Sequence, residues 1–281
     1  MPSRYFTSHF ALVSLIFLLP LFFIPGGSLD LGNTKALLLV HGFGIATLLF
    51  LAEIWKGREL VLPKHRFLIA AALLPAIYLL SALLSTPSSL SLLGYNLEPG
   101  TFGSILIGVA LLALTAIVFT DVARALNLVL ALFGSLALLA VFVTIKILSG
   151  GSWLSFGGLS GNMANPLGGW TDLGMVFGLL AVISALALGL VPAKRSFKIA
   201  LFSLFILSTA LLAVIHFSSA LTLSLIASVL LWLYFTKIES RFPNDTQISK
   251  PTLLPIALGV VSLIFLVNPV LSGGRNLGEI V

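Results

Sequence analysis

The 281-residue chain is 59% hydrophobic and only 9% charged, against roughly 25% charged residues in soluble globular domains. That deficit excludes an ordinary soluble domain and predicts an all-α fold, a polytopic transmembrane helical bundle forming a single transmembrane domain over residues 1–281. The net charge of +6 does not imply nucleic acid, because membrane proteins gather lysine and arginine in cytoplasmic loops. The absence of cysteine excludes disulfides and thiolate metal sites.

A spanning helix needs about 20 apolar residues, since the hydrocarbon core is ~30 Å thick and each residue rises ~1.5 Å. In chain order, that length predicts nine spans. The first, near 7–26, contains FALVSLIFLLPLFFIP. No small-residue cleavage site follows it, so it reads as a retained helix rather than a cleaved signal. The second lies near 35–54. Its GFG (42–44) lacks a preceding strand and reads as a packing notch, not a dinucleotide motif. His41, inside this span, is expected either to serve function or to bond a neighbouring helix. His9 and His65 fall at helix ends and read as interfacial.

The third span lies near 66–84. Residues 103 to 149 would extend about 70 Å as one helix, so TDVAR must break them into spans near 103–120 and 125–148. Asp121 and Arg124 there have the i,i+3 spacing of a turn-side pair. A sixth span is predicted near 171–191. From Ile199 to Phe235 the chain is apolar for about 55 Å of helix and must fold back. HFSS (216–219) is its one polar break, where Ser218 or Ser219 can cap the returning helix. That gives spans near 198–216 and 219–236, and the ninth lies near 252–271.

With the N-terminus inside, 12 of the 15 lysines and arginines fall in inner segments. Only Lys35, Lys146 and Arg275 fall outside, and the C-terminus is outside too. The inner loops are short and basic, suited to anionic headgroups. The two longer loops, about 85–102 and 149–170, face outward. The outer side carries Asp30, Lys35, Asn96, Glu98, Asn162, Asn165, Asp172, His216, Arg275 and Glu279, and the inner connections are short, so a site is expected outside. In STPSSLSLLGYNLEPGTFGS the serines and prolines signal turns, LSLLGY suits the interface, and Tyr95 can anchor there. Asn96 and Glu98 are candidate binding residues. Glu98 reads either as a solvated carboxylate near the next helix or as a base or hydroxyl-orienting group for a sugar.

In GNMANPLGGWTDLG (161–174), Pro166 holds Asn165 extended, so no helix starts before it. Thr171 is the expected N-cap, with Asp172 in the first turn. Asn162 and Asn165 carry amides suited to sugar hydroxyls or phosphate oxygens. Plain loop architecture explains much of the segment equally well. Asp172, His216 and Arg275 complete the candidate donor- and acceptor-binding set. No carboxylate, lysine or arginine sits near the middle of a span, which disfavours an ion-coupled transporter.

LSTPSSLSLLGYNLEPGTFGSIL followed by GNMANPLGGWTDLGMVFGLL resembles the membrane portion of the bacterial O-antigen ligase and polymerase superfamily. Gly94–Tyr95 and Gly161–Asn162–Met163–Ala164–Asn165–Pro166 match that family's serine-rich Gly-aromatic segment and its GNPN-like element. The resemblance implies a multi-pass protein of the bacterial inner (cytoplasmic) membrane. It would transfer a glycan from an undecaprenyl-diphosphate-linked donor to a hydroxyl of an acceptor glycan or lipid at the outer face. Besides this lipid-linked glycan and its acceptor, membrane lipids are the partners; no metal, cofactor or nucleic acid is implied. Diphosphate is a good leaving group, so catalysis would rest on cations meeting phosphate charge and on a base for the hydroxyl.

Two departures bear on this expectation. His216–Phe217–Ser218–Ser219–Ala220 stands where the family carries a Ser-Arg-Gly-like turn, and the sequence ends at LSGGRNLGEIV, where relatives continue into a large external loop. The chain therefore reads as the N-terminal membrane half of a longer protein, or as a diverged, inactive relative. The alternative function is a non-catalytic scaffold subunit of an envelope-glycan assembly or export complex.

Overall fold

In lipid no water is present to satisfy a bare peptide group, so each apolar run closes its own hydrogen bonds as a helix. The computed structural model describes residues 6–24, 31–57, 66–94, 100–151, 153–154, 159, 164–191, 194–241 and 252–271. Among them are ten helices and no strand. These are α1 (Phe6–Leu18), α2 (Leu31–Trp55), α3 (Arg66–Leu84), α4 (Ser88–Leu93), α5 (Phe102–Val118), α6 (Val122–Leu148), α7 (Trp170–Leu190), α8 (Arg195–Ile215), α9 (Ser218–Arg241) and α10 (Leu253–Leu271). Helices α2, α6, α7, α8 and α9 are long and apolar enough to cross a membrane, while α1, α3, α5 and α10 contain shorter apolar stretches. Large aliphatic side chains such as Ile199, Ile206, Ile226 and Leu230 are more than half exposed. Hydrophobicity all round a helix is the mark of lipid contact rather than of a water-facing surface. The chain is a multi-pass membrane protein.

The short α4 is not expected from the sequence, and three of the boundaries that differ have a plain local cause. Helix α1 ends at Leu18 rather than near residue 26. Pro20 has no N–H and disfavours helical backbone at Leu19, and a turn follows in which the Leu21 and Phe22 amides bond the Leu18 carbonyl. Helix α7 starts at Trp170 with Gly169 as N-cap, because the Asp172 carboxylate reaches back to the Gly169 N–H at 3.2 Å; Thr171 is already helical. Helix α9 starts at Ser218 itself, so no serine precedes it as a cap. The reversal is made by His216, which ends α8 in left-handed backbone (φ 52°).

The chain divides into two compact units, Met1–Ser135 and Leu136–Val281. In the first, α1 and α2 form an antiparallel hairpin whose core joins Leu12, Ala46 and Phe50 to Leu114 and Val118 of α5. A Cβ added at Gly42 would collide with the Leu15 side chain, whereas Gly44 faces open space. The packing notch in GFG is therefore its first glycine. Both ends of α1 are tied to α2 across the hairpin. Glu53 accepts from the Thr7 N–H (2.8 Å), the Thr7 hydroxyl (2.7 Å) and the Ser8 hydroxyl (2.6 Å). At the other end, the Lys35 ammonium donates to the Leu19 and Pro20 carbonyls at 2.6 and 3.2 Å. An anion at the helix N-terminus and a cation at the C-terminus both oppose the macrodipole favourably. Helix α3 packs on α5 and on the short α4. The predicted break before α6 is present, with Arg124 Nε 3.4 Å from the Asp121 carboxylate.

In the second unit α7 packs along α8, α9 along α10, and α7 also along α9. Its centre holds Leu173, Phe177, Leu180, Leu212 and Leu221, all fully buried. Small residues allow the close approaches: a Cβ at Gly178 would lie 2.6 Å from the Ser224 hydroxyl, and one at Gly259 2.7 Å from that of Ser228. This is how helices pack where no water drives them together.

Candidate functional site

One end of the second unit gathers the C-terminus of α6, the segment leading into α7, and the α8–α9 reversal. Its organising group is Lys146, in the last turn of α6 and only 1% exposed. The ammonium donates to the Leu159 and Ala164 carbonyls, each at 2.6 Å. The Phe142 ring, one turn back, lies 5.9 Å from Nζ, at the outer limit of a cation–π contact. The helix closes behind it through Gly151, whose N–H bonds the Lys146 carbonyl at 2.9 Å. Gly150 and Gly151 both take positive φ there, as a helix C-terminus favours. Charge-assisted bonds of this kind offset part of the cost of burying a cation. Lys146 thus ties the connection after α6 to the segment before α7.

Asn165, also 1% exposed, lies next to that anchor. Its side-chain oxygen accepts from the Leu167 and Gly168 amides at 2.9 and 3.2 Å. This is an Asx-type turn, which mimics a backbone turn and delivers the chain to the α7 N-cap. Asp172 is exposed and completes that cap. His216 is half-buried, with its ring 6.0 Å from Phe265 in an edge-on arrangement. It belongs to the same end, because a Cβ at Gly174 would meet Phe217 and Ile215 at 3.1 and 3.2 Å. The structure therefore places Asn165, Asp172 and His216 at one end of one unit. Asn96, Glu98, Asn162 and Arg275 lie outside the described residues, as do Tyr95, Gly161, Met163 and His65.

Asn165 and Asp172 are engaged in local architecture, and His216 serves as a helix terminator. An exposed carboxylate and an imidazole on a braced turn can accept or donate hydrogen bonds to a polyhydroxylated ligand. In the sequence Lys146 stands out only as one of three outer cations. Its signal was present: a single lysine inside the apolar run VFVTIKIL, directly before SGG.

The first unit has its own feature. A groove of about 430 Å³ runs between α2 and α5, lined by Leu39, Val40, Ile105 and Ile107, with Lys35 and Ser104 as its polar residues. Thr101 caps α5 beside it, accepting weakly from the Ser104 N–H at 3.4 Å. His41 bonds the Leu37 carbonyl of its own helix at 2.8 Å; the neighbouring-helix bond expected of it is not the one formed. The His9 ring packs against that of Phe119, centroids 4.7 Å apart and planes tilted by 40°. Among the described residues no group of three histidine or acidic side chains is placed to hold a metal ion. Comparison with family models, curated proteins and solved structures finds no match.

Proposed function

We propose that this chain crosses the bacterial inner membrane nine times with its N-terminus in the cytosol and handles a lipid-linked glycan at the outer face, in the manner of O-antigen ligases and polymerases. The observation that carries the reading is the groove beside Lys35. An apolar channel with one cation and a hydroxyl suits a polyprenyl chain ending in diphosphate. The carbonyls of Leu19 and Pro20 hold the ammonium where a phosphate oxygen can share it. Cations aimed at phosphate charge are what departure of a lipid diphosphate needs. Glu98 is the base for the acceptor hydroxyl in this reading. Asn96, Asn162, Asp172, His216 and Arg275 are the candidate sugar-binding residues of this reading, each within its own unit.

The test is surface glycan in cells carrying Ala36→Phe, which narrows the groove and keeps Lys35, or Glu98→Gln. Loss of glycan at unchanged protein level is expected for both. Full glycan in both removes the transferase reading.

A second reading has an observation in its favour. Asn165, Asp172 and His216 all serve local structure, as they would in a scaffold subunit of an envelope-glycan complex. In that case the point variants are silent, and removing a whole span lowers the abundance of a partner.

A further inference from the structure

The end of the second unit away from His216 carries a groove of about 680 Å³ between α8 and α10, within the ~300–1,000 Å³ typical of small-molecule sites. Arg195 and Lys198 stand at one end of it. Below them the walls are apolar: Phe202 and Ile206 on α8, Leu254 and Ala257 on α10. We propose that this groove binds one anionic phospholipid, its phosphate on Arg195 and Lys198 and one acyl chain lying between α8 and α10.

Three observations converge on that occupant. The charge is complementary, and basic pockets between membrane helices are where acidic headgroups bind. Lys194, at the N-cap of α8, makes no side-chain cap bond, so the first-turn amides of a 21-residue helix add their positive potential at the same place. The depth also fits. Arg195 to Ile206 is about 16 Å of helix, about half the ~30 Å hydrocarbon core and hence one leaflet. Phe202 and Ile206 are 47% and 51% exposed, so the groove lies open to lipid along its length. A free inorganic anion would leave this apolar wall unused. The groove shares no residue with the lipid-linked glycan reading and does not rest on it.

The experiment is native mass spectrometry of the full chain, released from detergent after equilibration with phosphatidylglycerol or phosphatidylcholine. Preferential retention of one phosphatidylglycerol is expected. Each cation near anionic lipid contributes about 1 kcal/mol, so Arg195→Gln with Lys198→Gln should weaken retention about 30-fold at about 1.4 kcal/mol per decade. Lys56→Gln, an exposed cation of the first unit that does not line the groove, should leave it unchanged. Ala257→Phe fills the apolar wall with the charges intact and should also release the lipid. Equal retention of both lipids, or no loss in the double variant, overturns the proposal. So does displacement by millimolar inorganic phosphate, full retention in Ala257→Phe, or a lipid-free dimer that closes the groove with a second copy.

Discussion

Replacing Lys146 by Met keeps the length of the side chain and its packing but removes the ammonium. Two bonds to carbonyls, both 2.6 Å, are lost. Hydrogen bonds to charged groups are worth about 1.5–3 kcal/mol each, so the pair contributes on the order of 3 kcal/mol or more to holding Leu159 and Ala164 in place. The opposing term is relief from burying a cation, itself several kcal/mol. The two effects act on different things. Relief of desolvation stabilises the end of α6, whereas the lost bonds release the segment before α7. Global stability should therefore change little, while local opening becomes about 100-fold more frequent, at about 1.4 kcal/mol per decade. Hydrogen exchange read by mass spectrometry on peptides covering 159–172 measures this. Amides of Leu167 and Gly168, held by Asn165, should exchange about 100-fold faster in Lys146→Met. Unchanged exchange there would refute Lys146 as the anchor of the segment.

Other variants probe the remaining joints. Glu53→Ala strands the Thr7 and Ser8 donors and should cost about 3 kcal/mol, whereas Glu53→Gln keeps one acceptor oxygen and should cost about 1 kcal/mol. The order of thermal midpoints, native above Gln above Ala, checks the clamp. Gly174→Leu places atoms where Phe217 and Ile215 lie and should destabilise by about 1–3 kcal/mol, read as a lowered midpoint. Asp172→Ala removes a cap bond and a favourable end charge, for about 0.5–1 kcal/mol. Loss of surface glycan well beyond so small a structural effect would mark Asp172 as a ligand contact.

Apart from the short α4, which falls in the expected loop 85–102, the helices were legible because length and hydropathy alone set them. The breaks at Asp121–Arg124 and at His216 followed from helices that would otherwise outrun the bilayer. What was not legible is which side chains meet. A helix apolar all round gives no periodic signal of its packed face. The Glu53 clamp joins residues 45 and 46 positions apart, and Lys146 reaches carbonyls 13 and 18 residues on. Backbone acceptors leave no mark in the sequence. The role of Asn165 was half-visible: Pro166 located the turn, but only the structure shows that its amide oxygen is spent on Leu167 and Gly168. The α1 boundary was missed because counting apolar residues ignored Pro20.

The central claim is that the end of the second unit bearing Asn165, Asp172 and His216 and the end bearing Arg195 and Lys198 lie on opposite faces of the membrane. The chain has no cysteine, so single tags report without background. Thr171 and Ser196 are both exposed, one at each end. With an impermeant thiol reagent on intact spheroplasts, Thr171→Cys should label and Ser196→Cys should label only after permeabilisation. Labelling of Ser196→Cys from outside, with Thr171→Cys silent or equally reactive, would contradict the account.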